Sequence, residues 1–404
     1  MSLRVLLTLG VPDFTGASKM AFYYARSFVE AGHEVLCVCG PRPQGGASAI
    51  EPLRSSGVKV SEEHGFSGLL DRALIGRLAG FIGREDIDVV VSAQQIDLKV
   101  AAWAARAAGV PCVGFIQNRT AFSGHWPLRL IKRLGYQFTV ARGTSRLICI
   151  SEAVRDQHCR EFSYPQERTV VLENGIELST HRPLERHERA RLRNELGLNE
   201  RDIVLLNVGR LDPQKGQRVL LEAFAEARFA DRPVKLVLVG DVTAGNESTA
   251  KTYVQGLRQF VDVRGLKDRV IFAGWRNDVE RLLEAADAYV HSALWEGNSL
   301  PLALLEAMAA RLPVIGTNCA GHPAGFVQSV HGYIVPKGEM LPLARAMEQL
   351  VGTSDEARRA MGQLARTMVE DRYDIAVTGH RFVDFVAEVA GYGAQVRLET
   401  SQAV

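Results

Sequence analysis

Short runs of consecutive apolar, β-branched-rich residues recur along the chain, separated by stretches in which apolar positions return every three or four residues. The runs predict strands at 4–9, 34–40, 88–93, 112–117, 147–151 and 169–172, then at 203–209, 235–240, 270–273, 288–294, 314–317 and 332–335. The intervening stretches carry the helical period, most plainly at 17–30, where Gly32 supplies a stop before the next run opens at His33-Glu34-Val35. Continuous rather than alternating apolar runs suit strands covered on both faces, and strand-helix alternation predicts parallel sheets with crossover helices. The alternation fails once, over 176–200, where charged residues dominate. It therefore resolves into two doubly wound α/β domains, 1–183 and 184–374, followed by an amphipathic helix at 375–390 and a frayed tail to 404.

Size and composition agree with this division. A chain of 404 residues with 47% hydrophobic content exceeds what one core usually supports and excludes disordered and fibrous classes. The formal net charge is +2, with both signs interspersed, which gives no footing for nucleic-acid binding. The six cysteines fall mostly inside apolar runs and read as buried free thiols, not a disulfide framework or a metal site. The N-terminal apolar run reads as a first strand and not a leader, and no segment reaches the ~20 apolar residues that span a bilayer. A soluble, cytoplasmic protein is expected.

The sharpest candidate chemistry lies in 291–318, HSALWEGNSLPLALLEAMAARLPVIGTN. Pro301 suits a first helical turn, so 301–310 is expected to be helical, with Glu306 in the middle of a face otherwise apolar. Glu296 stands in the turn before it. At the start of the second domain, NVGRLDPQKGQRVLLEAF places Arg210 and Lys215 at the carboxyl end of a strand, the edge where open α/β sheets bind ligands. A guanidinium and an ammonium in a glycine-flanked turn suit a diphosphate, although solvated loop cations fit the pattern too. Gly209, Gly240-Asp241, Glu296-Gly297 and residues 318–322 occupy the same edge. Cations for phosphates together with carboxylates for hydroxyls suit a sugar nucleotide. The plainer alternatives are a buried ion pair or protonated carboxyl at Glu306 and an exposed turn acid at Glu296. The one Asp-x-Asp pair, Asp86 and Asp88, opens a strand at the opposite edge and reads as structural, so no metal site is expected.

NVGRLDPQKG, LVGD, the Glu-Gly turn followed by LLEAMA, LPVIGTN and HGYIVP resemble, as an ordered set, the retaining GT-B glycosyltransferases of family 4. The resemblance is dense over 202–338 and thinner before it, at Gly16-Ala17, 31–35, 150–153 and 173–177. It implies two Rossmann-like domains facing each other across a cleft, acceptor side first and donor side second, with the 375–390 helix returning to the N-terminal domain. It further implies a UDP- or GDP-sugar donor as substrate, no cofactor and no metal, and a glycan, lipid-linked or small-molecule acceptor of polysaccharide or glycoconjugate synthesis. Arg210 and Lys215 would hold the diphosphate, Glu306 the ribose and Glu296 the sugar. Gly16, Gly209, Gly240, Gly297, Asn298, Ser299 and Leu300 complete the implied donor set, with Glu296, Arg210 and Lys215 acting in the transfer itself.

This sequence departs from the family pattern in several places. Nine residues separate Glu296 from Glu306 where the family has seven. Either Asn298-Ser299 is an insertion or Asn298 has taken the place of Glu296. Arg311 stands where a glycine is usual after LLEAMA, a later glutamate is missing from AGHPAGFV, and a first-domain histidine appears as Gln117-Asn118. On the acceptor side, 126–146 interleaves apolar residues with Arg129, Lys132, Arg133, Arg142 and Arg146, a pattern compatible with peripheral membrane contact or with an ordinary basic helix face. His125 and Gly16 are further candidates to face a ligand. A sugar-nucleotide epimerase and a non-catalytic sugar-nucleotide or glycan-binding protein are the competing readings. A nicotinamide dehydrogenase is disfavoured because no Gly-x-Gly-x-x-Gly follows a strand.

Overall fold

The computed structural model describes residues 2–14, 16–42, 48–63, 66, 71–242, 247–296, 300–319, 323 and 325–391, excepting the side chains of 247–250. The expected turn residues Gly297, Asn298 and Ser299, residues 320–322, and the tail beyond 391 lie outside the described residues.

The first unit is a seven-stranded parallel sheet formed by β1 (Arg4–Leu9), β2 (Glu34–Cys39), β3 (Lys59–Glu62), β4 (Val89–Ser92), β5 (Cys112–Ile116), β6 (Arg146–Cys149) and β7 (Thr169–Val171), in the order β3-β2-β1-β4-β5-β6-β7. The sequence pattern missed β3. Its KVSE segment is an edge strand with mostly exposed residues, so no buried face imposes an apolar period on it. The strand order reverses between β1 and β4. There Thr8 and Ser92 both donate to the buried Asp97 carboxylate, at 2.5 and 2.8 Å, and burial pushes its pKa up to about 7.

The second unit is a six-stranded parallel sheet of β8 (Ile203–Val208), β9 (Val234–Val239), β10 (Val270–Gly274), β11 (Ala288–His291), β12 (Val314–Thr317) and β13 (Gly332–Val335), ordered β10-β9-β8-β11-β12-β13. Alternate residues feed two separate cores. Val204, Leu206, Tyr289 and Val314 enter one face with the Leu302–Ala309 helix, while Ile203, Leu205, Val290 and Ile315 enter the other with the Gln217–Glu226 helix. The reversal of strand order falls between β8 and β11, so their carboxyl ends mark the crevice where open α/β sheets of this kind take ligands. Strand β11 ends at His291 and not at 294, because the chain leaves the sheet there to meet the turn that follows β8.

Packing shifts the domain boundary from 183/184 to 175/176. Ile176 and Leu178 are buried in the core of the second unit, which runs to Asp374, so the charged stretch belongs to its surface and not to a linker. The Ile375–Val389 helix packs with the first unit. Phe382 stacks on Tyr24 with ring centroids 4.0 Å apart and meets Phe115 edge-on at 5.5 Å. A Cβ at Gly379 would lie 2.2 Å from Ser27 Oγ, so the glycine permits this close seat. Arg311 adopts the left-handed conformation that its glycine-like position demands, with φ 60°. Phe382→Ala should destabilise the first unit by about 3–5 kcal/mol in denaturant unfolding, as expected when a buried aromatic ring leaves a cavity.

Candidate active site

The crevice is built first from turn chemistry. After β8 the chain passes Gly209-Arg210-Leu211, and Asp212 Oδ1 then accepts from Gln214 N at 2.8 Å, capping a single 3₁₀ turn, Pro213–Lys215. Gly216 ends that turn with φ 67°. A Cβ on it would stand 2.1 Å from the Ser292 carbonyl oxygen, so only glycine lets the turn lie against the end of β11. Gly240 plays the same part on the other flank, where a Cβ would fall 2.0 Å from the Gly209 carbonyl oxygen.

Hydrogen bonds then fasten the turn to the 292–295 segment. Ser292 Oγ donates to Lys215 O at 2.9 Å, Leu294 N to Gln214 O at 2.8 Å, and Gln214 Nε2 to Trp295 O at 3.0 Å. Held this way, Lys215 Nζ lies 2.5 Å from Glu296 Oε1, and His291 Nε2 lies 2.9 Å from the same oxygen. The Glu296 side chain is 12% exposed and that of Lys215 21%, so this is a largely desolvated pair and not a surface one. Burial pushes the Glu296 carboxyl up, but His291 and Lys215 together outweigh it and hold the group below the usual carboxylate range. The carboxylate is thus ionised at neutral pH and can only accept, which assigns the bridging proton to His291 Nε2.

Glu306 projects from the Leu302–Ala309 helix and is half-buried, not sealed into an apolar face as its sequence neighbours suggested. The Tyr289 hydroxyl feels the charges of both Glu306 and Glu296. Burial raises the pKa of the Tyr289 hydroxyl, the charges of Glu296 and Glu306 raise it further, and the hydroxyl donates to the Val208 carbonyl at 3.4 Å. Arg210 is exposed, with Nη1 3.7 Å from Asp212 Oδ2, while its carbonyl accepts from Gln217 Nε2 at 2.7 Å. Leu300 sits in the apolar core of the second unit.

The structure therefore brings Lys215 and Glu296 into direct contact, where the sequence had given them separate tasks. The positions of His291 and Tyr289 near the end of β11 were not singled out from the sequence. A polar residue closing a buried strand at its carboxyl edge was the available signal. In the first unit, Gly16 opens the Gly16–Glu30 helix, and its Cβ position meets no described atom within 4 Å, so packing does not require the glycine. Gln117 is buried at the end of β5, with Nε2 donating to the Ala17 and Ala93 carbonyls at 3.1 and 3.0 Å. Asp88, at the amino edge, accepts from Arg4 N at 2.7 Å.

Two family models match the chain: Glycosyltransferase Family 4 over residues 14–180 and Glycosyl transferases group 1 over 188–368. The UDP-Gal:alpha-D-GlcNAc-diphosphoundecaprenol alpha-1,3-galactosyltransferase of Escherichia coli is 29% identical over 279 residues, 67% of this chain and 68% of that protein. The N-acetyl-alpha-D-glucosaminyl L-malate synthase of Bacillus anthracis is 25% identical over 92% of this chain and 93% of its own length. Among solved structures, HepE of Anabaena in complex with UDP superposes with a TM-score of 0.80 at 21% identity, covering 96% of this chain and all of that one, 100%.

The depressed pKa of Glu296 has a measurable consequence. A carboxyl that ionises more readily folded than unfolded contributes stability above its unfolded pKa and loses it as pH falls through the folded value. Glu296→Gln should therefore flatten the acid side of the stability profile, below about pH 4.5, when denaturation midpoints are compared with wild type.

Proposed function

Because this chain belongs to the GT-B glycosyltransferases of family 4, we propose that it moves a sugar from a UDP- or GDP-sugar to a hydroxyl acceptor with retention of configuration. The observation that carries this reading is the Lys215-Glu296-His291 cluster in the β8/β11 crevice. An ammonium already facing the crevice suits the diphosphate, and Arg210, exposed on the same turn, can swing to a second phosphate oxygen. As Lys215 turns to the phosphate, the Glu296 carboxylate, still oriented by His291, becomes available to sugar hydroxyls. Glu306, half-buried on the Leu302–Ala309 helix, is assigned the ribose hydroxyls.

In the proposed step the acceptor oxygen bonds to the anomeric carbon on the face from which the diphosphate departs. The C–O bond to the β-phosphate breaks with its electron pair going to the phosphate oxygen, and the acceptor proton passes to that phosphate. Arg210 and Lys215 stabilise the charge growing on the leaving group, the task that a divalent cation performs in metal-dependent transferases, so no metal is assigned. Relatives that use UDP-Gal or GDP-mannose, on acceptors that include a diphosphoundecaprenol lipid and a phosphatidylinositol mannoside, support a nucleoside-diphosphate sugar donor and a glycan, lipid-linked or small-molecule acceptor. Polysaccharide or glycoconjugate synthesis at the inner face of the membrane is the setting that fits them.

A panel of UDP- and GDP-sugars should raise the thermal midpoint with at least one member, since a ligand at 100 times its Kd adds about 2.7 kcal/mol. No shift with any of them removes the proposal. Lys215→Ala and Arg210→Ala should each lower donor turnover about tenfold or more, the loss of a bond to a charged group at roughly 1.5–3 kcal/mol. Glu306→Gln should weaken nucleotide affinity, and unchanged affinity would return Glu306 to a structural role. Donor binding without turnover on any acceptor would favour the non-catalytic reading raised by the altered Glu296 to Glu306 spacing.

A further inference from the structure

A cavity of about 820 Å³ opens at the amino edge of the second sheet, the edge opposite the β8/β11 crevice. Its wall includes Asp202 and Ile203 at the start of β8, Asp287 just before β11 and Leu312 shortly before β12. Strand β8 is six residues long, and at about 3.3 Å per residue this sets the cavity roughly 20 Å from the Lys215 turn. Five arginines and five carboxylates line it, so its character depends on which charges are left unmatched.

The carboxylates are engaged. Asp287 accepts from Arg189 Nη2 and from Val204 N, both at 2.8 Å. Asp202 Oδ2 accepts from Asn199 N at 2.7 Å, Asp355 holds Arg358, and Glu200 lies 3.7 Å from Arg186. The arginines are not all matched in return. Arg201 and Arg359 are exposed and form no ion pair among the described residues. Arg311 Nη1 reaches Glu284 Oε1 only at 3.4 Å, a long contact. The Glu284 side chain is 6% exposed, and burial pushes its carboxyl up to about 7 against the opposing pull of Arg311 and Arg366. It is thus a partial counter-ion near neutral pH, and the unmatched charge of the cavity is positive.

The backbone at Arg311 points the same way. The family pattern has glycine here, and φ is 60°, where glycine is relaxed and a side chain is strained. This chain keeps an arginine at that position, and its side chain lines the cavity.

We propose that the cavity binds a small phosphate monoester, with Arg201, Arg311 and Arg359 sharing the phosphate oxygens and the neighbouring carboxylates accepting from hydroxyls of the ester. Guanidinium groups present paired N–H donors that match phosphate oxygens, and a carboxylate that already accepts one bond has lone pairs left for another. The volume is that of a small-molecule site, while so charged a lining suits a polar anion. The inference does not rest on the donor reading, since the cavity and the crevice lie at opposite edges of the sheet.

The test is isothermal titration calorimetry of the full chain with glycerol 3-phosphate and with inorganic phosphate, glycerol serving as the uncharged control. Because phosphate also suits the Lys215 turn, the titration is repeated in the double variant Arg210→Ala, Lys215→Ala, where saturable binding of the ester should remain. Arg311→Gly should weaken it about tenfold or more, the loss of a bond to a charged group. Arg201→Gln and Arg359→Gln should each weaken it about fivefold, as befits more exposed cations. Glycine fits the backbone at 311, the unliganded thermal midpoint checks each fold, and the two exposed positions carry the test if Arg311→Gly does not fold. Glu284→Gln should instead tighten binding above pH 7, because an amide cannot hold Arg311 as a carboxylate does. Loss of binding in the Arg210→Ala, Lys215→Ala variant, unchanged affinity in the three arginine variants, or weaker binding by Glu284→Gln overturns the proposal. Tighter binding of free phosphate than of the ester overturns the assignment of the ligand.

Discussion

A glycine pressed against a carbonyl holds the candidate site together. Because Gly216 has no Cβ, the turn after β8 can lie on the end of β11, and three hydrogen bonds between Gln214-Lys215 and the 292–295 segment make that approach stable. Lys215 and Glu296 are then drawn together across two hydrogen-bonded neighbouring strands, at the point where strand order reverses. Remove the close approach and the two charges, 81 residues apart in sequence, have no reason to meet.

The contact is poised rather than inert. Desolvating an ammonium and a carboxylate costs several kcal/mol per ion unless geometry and further hydrogen bonds offset it, and His291 supplies one such bond to the same oxygen. An anionic ligand that offers Lys215 a better partner leaves Glu296 charged, oriented by His291 and able to accept from hydroxyl groups. Tyr289 is buried and fixed to the end of β8, and its hydroxyl feels the charges of both Glu296 and Glu306. Strain elsewhere in the second unit is handled by packing. Arg311 takes a left-handed conformation at φ 60°, beside Gly362, whose absent Cβ would stand 1.9 Å from the Arg311 carbonyl oxygen.

The first unit distributes polarity differently. Its switch point holds a carboxyl, Asp97, within a hydroxyl and amide cage, and its surface concentrates cations on a stretch free of acidic residues. Where the family pattern has a histidine, Gln117 uses its amide hydrogens to join the ends of β4 and β5 to the first helix. That position serves to fasten the backbone here.

The sequence by itself determined the two parallel sheets, nearly every strand, and which residues stand at the carboxyl edge of the second sheet. All of these follow from local rules: continuous apolar runs for strands buried on both faces, glycine and proline at turns, and cations placed after a strand end. Edge strand β3 escaped because exposed residues carry no such rule. Only the tertiary structure decided that the charged stretch from Ile176 belongs to the second unit, that Lys215 is paired with Glu296 and His291, and that Arg311 lines a cavity at the amino edge of the second sheet. Each of these depends on which distant segment lies opposite a side chain. Helical and strand periods fix which residues share a face, but not what that face meets.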